Sequence, residues 1–319
     1  MSMRALSRPA GAAFDSLRDA CGVCRKIYPV MVLLIIAVKI LSELDLIKYL
    51  AMPLEPLMAL MGLPADFGII WATSMVVNIY SGLIVLISLL PAMEPLSVAQ
   101  MSIFGLITLY AHSLPIEGRI AQQCGLAFTV QIVLRILVAT AAGIGLHLLC
   151  RETGWLSEPA IILFSGGDPN PPLPAWIWGH ILDLVYIYLI IAALLFVQRG
   201  IEHFKLDRWL ALPLKPFVRL IGLSDKASTI IMIGLCMGLI YGSGLIIRAA
   251  QDGSLSRRDI FGSVTLMGLA HAIIEDTLLF LVIGGNWIVI LALRTLLAIG
   301  VVAVVMRARD RINPLPETA

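Results

Sequence analysis

Lys39-Ile-Leu-Ser-Glu-Leu-Asp-Leu-Ile-Lys-Tyr-Leu-Ala-Met-Pro-Leu-Glu-Pro-Leu-Met-Ala-Leu-Met-Gly-Leu63 aligns without a gap on Arg199–Leu223. Lys48 pairs with Arg208, Tyr49 with Trp209, Leu50 with Leu210, Ala51 with Ala211, Pro53 with Pro213, Pro56 with Pro216, Leu60 with Leu220 and Gly62 with Gly222. Proline fixes the backbone and glycine frees it, so their recurrence at matched spacing marks a repeated structural unit and not merely shared hydrophobicity. Further anchors follow in the same order. Ile79-Tyr-Ser-Gly82 echoes Ile240-Tyr-Gly-Ser-Gly244, and Ile103-Phe-Gly105 echoes Ile260-Phe-Gly262. Ala111-His-Ser-Leu-Pro-Ile-Glu117 echoes Ala270-His-Ala-Ile-Ile-Glu275, and Leu134-Arg135 echoes Leu293-Arg294. One helical unit therefore occurs twice.

The unit belongs in a membrane. Hydrophobic residues make up 59% of the chain and charged residues 14%, against about 45–50% and about 25% in soluble domains. The excess lies in apolar runs at Tyr28–Val38, Phe67–Leu90, Met101–Ala111, Leu126–Leu149, Ala175–Val197, Ile230–Ile247 and Trp287–Met306. A spanning helix needs about 20 such residues, so several runs qualify outright. The expected fold is an all-α integral membrane protein of two inverted helical repeats with broken or re-entrant helices. Repeat A covers 28–150 and repeat B 175–306. Residues 1–27 form a cytoplasmic amphipathic segment, 151–174 a periplasmic linker and 307–319 a cytoplasmic tail. Ser165-Gly-Gly-Asp-Pro-Asn-Pro-Pro cannot continue a helix, which places the linker there.

Charge placement sets the orientation, because cytoplasmic loops collect Lys and Arg. Residues 1–27 hold five, and the linker holds only Arg151. Segment 39–66 holds two and its partner 199–226 holds six, while Arg307, Arg309 and Arg311 lie in the tail. These comparisons put the halves in opposite orientations, with both termini cytoplasmic and a bacterial inner (cytoplasmic) membrane as the expected location. Loop 248–259, with Arg248, Arg257 and Arg258, runs against them when set beside 91–97, which has none. Inversion also requires an odd number of crossings per half, so one of the four apolar stretches in each must not cross fully. The His/Glu stretch is the predicted one, as a re-entrant hairpin or a broken helix, because Pro115 and the polar run Glu117–Cys124 interrupt it.

Ionisable groups inside membrane segments usually face a cavity or a partner. The candidate substrate- or ion-binding residues are His112, Glu117 and Arg135 in one half and His271, Glu275, Asp276 and Arg294 in the other. His271 and Glu275 are four apart and share a helix face. The bland alternatives are that Arg135 and Arg294 pair with Glu117 and Glu275 purely as neutralising locks, or that the His/Glu residues sit at the lipid interface. Asn78, Tyr80, Gln131, Tyr241, Ser243 and Asn286 are secondary candidates, each more often a helix-to-helix hydrogen-bonding residue than a ligand contact. Gly238, Gly242 and Gly244 are read as allowing close helix packing. Carboxylates and imidazoles suit a divalent metal and the arginines suit an anion, so the metal question stays open here.

A net charge of +2 suggests no nucleic-acid partner. Cys21 and Cys24 form a lone CxxC, and a structural zinc would need two further ligands; they read as two small residues on an amphipathic helix. No A-x-A-like site follows the first apolar run, so residues 1–27 do not read as a secretory signal.

The run Ala111–Gly125, with Leu54-Glu-Pro-Leu-Met-Ala-Leu-Met-Gly-Leu-Pro64 before it, resembles the gate, or nucleoside-recognition, domain. Such domains occur in ferrous-iron permeases, concentrative nucleoside transporters and spore-maturation membrane proteins. The likeness extends over 28–150 and 175–306 and is clearer in the first half. It implies transport without naming a cargo. No G-x-x-x-x-G-K-[ST] phosphate loop is present, so the nucleotide-hydrolysing form of the iron permease is excluded, and no nucleoside-binding motif matches residue by residue. The expected function is secondary transport of a small solute or ion by alternating access, without enzymatic activity or cofactor. The expected partners are the lipid bilayer and the substrate, and a homo-oligomer is compatible with it. The alternatives are a non-transporting assembly protein of the spore-maturation type, or an intramembrane enzyme using a His/Glu pair. The sequence contains neither HExxH nor a nucleophile elbow.

Overall fold

The computed structural model describes residues 9–44, 46–163, 171–204, 216 and 221–312. The second copy of the Pro-x-x-Pro segment, both chain ends and residues 164–170 lie largely or wholly outside them, as does the side chain of Tyr241. In the first half the helices are α1 (Pro9–Glu43), α2 (Ile47–Ala51), α3 (Glu55–Leu60), α4 (Phe67–Val76), α5 (Ile79–Leu89), α6 (Val98–Tyr110), α7 (Leu114–Gln123) and α8 (Phe128–Thr153). In the second they are α9 (Leu173–His203), α10 (Asp225–Met237), α11 (Leu239–Gln251), α12 (Arg257–Leu269), α13 (Ile273–Val282) and α14 (Arg294–Ile312), the last entered through a π turn at Ile288–Leu293. The described residues contain no strand, so the chain is all-α; an isolated bridge joins Ser97 and Pro159. Helix α1 is continuous through residue 27, so the amphipathic N-terminal segment and the first span are one helix.

Where both halves are described, their elements correspond. Helices α6 and α12 are both thirteen residues long. Each opens on a serine whose hydroxyl accepts an N–H from the third residue of the helix: Gln100 to Ser97 at 3.2 Å, Asp259 to Ser256 at 3.0 Å. Such caps satisfy donors that the helix itself cannot. Ser97/Ser256, Ser113/Ala272 and Arg135/Arg294 share one spacing in the chain. On that spacing the counterpart of Glu117 is Asp276 and not Glu275, and the Ile-Phe-Gly echo is out of register.

The long apolar stretch after Gly62 is not one helix but a hairpin. At its start the Gly62 carbonyl accepts from Gln100 Nε2, in the first turn of α6, at 3.2 Å. Its far end, at Leu90–Ala92, also leads into α6. Both ends of the α4–α5 pair therefore lie at the same end of the molecule, and its tip, Val77–Asn78, points inward. Asn78 Oδ1 accepts from Ser81 N at 2.9 Å and so caps α5. The second half repeats this. Gly222 O accepts from Arg258, Ser224 N donates to Asp259 Oδ1 at 2.9 Å, and the tip is Gly238 at φ 93°. The two arms touch backbone to backbone, since a Cβ on Gly242 would lie 2.9 Å from the Gly234 Cα. Gly242→Ala is expected to force the arms apart and destabilise the purified protein by about 1–3 kcal/mol, read as a lower unfolding midpoint in detergent.

The His/Glu stretch, predicted to be a re-entrant hairpin or a broken helix, is a broken helix. Helix α8 runs back along both α6 and α7: Arg135, near its start, donates to Tyr110 O at the end of α6 and to Glu117 on α7. Just beyond the other end of α8, Leu156 O and Glu158 O accept from Ala99 N and Val98 N at the start of α6, at 2.8 and 2.9 Å. Helices α6 and α7 thus lie end to end with a break at Ala111–Ser113. The polar run Glu117–Cys124 is helical within α7 up to Gln123. Pro115 does not cause the break, since the second half breaks at the matching Ala270–Ala272 with no proline nearby. The element that turns back is the hairpin, which hydropathy could not reveal because Asn78 and Gly238 are flanked by apolar neighbours.

Helices α1 and α9 pack antiparallel. Tyr28 Oη on α1 donates to Leu184 O on α9 at 2.5 Å, Tyr188 Oη donates to Leu17 O at 3.1 Å, and Arg199 pairs with Asp19. The start of α1 therefore meets the end of α9. The π turn that leads into α14 begins beside Asn286, whose N–H donates to Ser102 Oγ on α6 at 2.9 Å, and near the end of α14 Asp310 pairs with Arg258 at 3.0 Å. One end of the molecule thus carries 96–100, 156–160 and 284–286, and the opposite end carries Gly222, Arg258 and Asp310.

Five helical stretches among the described residues are long and apolar enough to cross a membrane: Gly11–Glu43, Phe128–Thr153, Leu173–Ile201, Arg257–Val282 and Ile288–Arg311. Those on α1, α8 and α9 are 22% buried, against 72% for α12–α13, so the former form the rim and the latter the centre. Leu33, Ile36, Leu137, Ile177, Trp178 and Leu189 are exposed, while Arg135, Arg294, Glu117 and Asp276 are buried. Apolar side chains outside and paired charges inside is the distribution that lipid imposes.

Candidate functional site

The site grows from the two helix breaks. At the end of α6 the His112 ring takes the place of a backbone donor: Nδ1 lies 3.0 Å from Thr108 O, four residues back. His271 does the same at the end of α12, with Nδ1 2.7 Å from Met267 O. The residue after each histidine is left-handed without being glycine, Ser113 at φ 49° and Ala272 at φ 46°. That conformation is strained for an L-residue and persists only where its surroundings enforce it. Ser113 N is held by Ser74 O, at the tip of the α4–α5 hairpin, at 2.9 Å. Ala272→Gly is expected to relieve strain, raising stability by about 0.5–1 kcal/mol in a detergent unfolding titration.

Strain turns both rings inward. His112 Nε2 lies 3.1 Å and His271 Nε2 3.6 Å from the same oxygen, Glu117 Oε1. The ring centroids are 5.2 Å apart at an interplanar angle of 49°. Glu117 Oε2 accepts from Arg135 Nη1 at 2.5 Å, and Arg135 Nε donates to Tyr110 O at 2.7 Å. In the second half Arg294 Nη1 pairs with Asp276 Oδ2 at 2.9 Å and Nη2 donates to His271 O at 3.2 Å. Each arginine thus ties its own break to an acid on the following helix. Tyr110 Oη donates to Arg294 O at 2.7 Å and locks the two halves together.

His112, Glu117, Arg135 and His271 therefore meet in one cluster, with Arg294 and Asp276 beside it. Glu275 stands apart. The expected pairing of Arg294 with Glu275 is not formed, because Asp276 occupies the position that matches Glu117. The expected His271–Glu275 face is not formed either, since the break at Ala272 takes His271 off the helix. Glu275 Oε1 instead accepts from Tyr80 Oη, on the other half's hairpin, at 3.4 Å, and among the described residues no cation pairs with it.

The remaining candidates make other contacts where they are described. Asn78 caps α5. Asn286 Oδ1 accepts from Ile288 N at 2.9 Å and shapes the entry to the π turn. Gln131 is buried against Gly268, and the Ser243 carbonyl lies 4.0 Å from Cys124 Sγ. Cys21 is exposed and Cys24 buried, neither in a disulfide. Sequence reasoning missed Tyr110, whose hydroxyl bridges the halves, and the strained pair Ser113/Ala272. Neither serine nor alanine advertises a left-handed backbone.

These features define a multi-pass all-α membrane protein with a charged, buried centre built from both halves. The chain is 26% identical over 270 residues, 81% of each chain, to YvoD, an uncharacterized membrane protein of Bacillus subtilis (strain 168). No family model matches the chain, and no solved structure matches it.

Proposed function

We propose that the protein is a secondary transporter that moves a small solute or ion by alternating access between two inverted repeats. The observation that carries this reading is the buried meeting of His112 and Glu117 from one half with His271 from the other, at the breaks of two discontinuous helices. Broken helices of inverted repeats, meeting near the bilayer midplane, form a recurring transporter architecture. Inversion is supported by the antiparallel packing of α1 on α9 and by the opposite courses of α8 and α14. Counting α6–α7 as a crossing in this reading, each half would have three crossings and one hairpin, the odd number that inversion requires.

The hairpins also remove the discordant charge comparison. Residues 91–97 lie beside the linker at one end, and Arg258 lies at the other with Asp310. The Arg-rich end, carrying Arg199, Arg257, Arg258, Arg307, Arg309 and Arg311, is therefore the cytoplasmic one in this reading. Residues 151–163 then face the opposite side of a bacterial inner membrane. The resemblance of Ala111–Gly125 to gate domains points to the same function, and no catalytic chemistry is assigned.

The test is flux. Protein reconstituted in liposomes containing a pH-sensitive dye is challenged in turn with divalent cations, nucleosides and small organic anions. One class is expected to enter and to move protons with it. A scaffold would transport none of them, and an intramembrane enzyme would change the solute without moving it.

A further inference from the structure

We infer that His112 Nε2, His271 Nε2 and Glu117 Oε1 form a binding site for a divalent first-row transition-metal ion. This rests on the transport reading and names the class of its cargo. The argument begins with the carbonyls. Thr108 O and Met267 O can only accept, so each histidine must carry its proton on Nδ1. A neutral ring protonated there presents a lone pair at Nε2, and both Nε2 atoms are aimed at a carboxylate oxygen that also offers a lone pair. With both rings neutral, three acceptors converge, mutually within 4.8 Å and buried. Such a set needs a positive charge among them, a proton or a metal ion.

The spacing suits a metal ion. Ligand atoms sharing a tetrahedral ion at about 2.1 Å stand about 3.4 Å apart. The two histidine-to-Glu117 separations, 3.1 and 3.6 Å, bracket that value. The outer contacts are those that metal-bound groups normally make: each imidazole donates its other N–H to a backbone carbonyl, and the carboxylate's second oxygen is held by Arg135. Two nitrogens and one oxygen favour zinc, iron, cobalt or nickel over magnesium and calcium, which prefer all-oxygen shells. Three protein ligands leave a position open. Arg135 on the carboxylate weakens the site electrostatically, which suits an ion that must leave again. Because the ligands come from both halves, relative movement of the halves would dismantle the site.

The full chain, purified in detergent and stripped with a chelator, is titrated with cobalt(II) and, in equilibrium dialysis, with zinc(II). One ion per chain is expected, with visible cobalt ligand-field bands that magnesium does not displace. His112→Gln, His271→Gln and Glu117→Gln should each weaken binding at least tenfold, while His180→Gln, on α9 away from the cluster, should not. Glutamine keeps a hydrogen-bonding side chain, and unfolding midpoints report whether each variant is folded. No binding by the wild-type chain, or equal binding by all three folded variants, overturns the site. Metal binding without flux would keep the site and refute the transport reading. Flux of another solute without metal binding would do the reverse.

Discussion

Replacing Arg135 with methionine is expected to destabilise the protein by about 3–5 kcal/mol, the cost of leaving one member of a buried ion pair uncompensated. Methionine keeps much of the volume but none of the charge. The change strands Glu117 Oε2 and the Tyr110 carbonyl together, both in the centre of the molecule. Adding Glu117→Gln should recover much of the loss, because an amide tolerates burial without a counter-charge far better than a carboxylate. An unfolding titration in mixed detergent micelles reads both effects. A shift below about 1 kcal/mol for Arg135→Met would mean that water reaches the pair, and the buried centre described above would be wrong.

Glu275→Gln is expected to have the opposite profile, with little change in stability and loss of proton-linked flux by tenfold or more. Glu275 is the acid of the cluster region without a cationic partner among the described residues, and it contacts Tyr80 across the boundary between the halves. A carboxyl group so placed can take up and release a proton as that boundary opens and closes, whereas Glu117 and Asp276 are held by their arginines. An amide of the same shape keeps the tyrosine contact and cannot titrate. Proton-linked flux that survives the substitution unchanged would remove Glu275 from the coupling mechanism.

How much of this was readable in the chain depends on what each residue advertises. Gly62 and Gly222 marked the repeat, and both are left-handed, at φ 66° and 75°, so their recurrence had a backbone cause. Charge placement gave the proposed orientation of the halves, because cytoplasmic loops collect Lys and Arg. His112, Glu117, Arg135, His271 and Arg294 were legible as well, since isolated ionisable groups stand out among apolar neighbours. Pairing within the second half was not. Glu275 and Asp276 are adjacent, and matching glutamate to glutamate displaces the alignment by one residue. The hairpins were hidden because Asn78 and Gly238 interrupt helices without lowering local hydropathy. The strained residues were hidden because nothing local favours a left-handed serine or alanine; the conformation is imposed by tertiary contacts such as Ser113 N to Ser74 O. Local pattern thus identified which elements exist, and long-range hydrogen bonds decided where they break and turn back.

The most direct test of alternating access is accessibility at the break itself. In a chain whose five native cysteines are replaced, a single cysteine is placed by Ser113→Cys and probed in oriented vesicles with a membrane-impermeant maleimide. Access alternating between the two faces predicts labelling from either side, with the balance moved by the transported solute. Labelling from one side only under every condition, or from neither, would contradict the account.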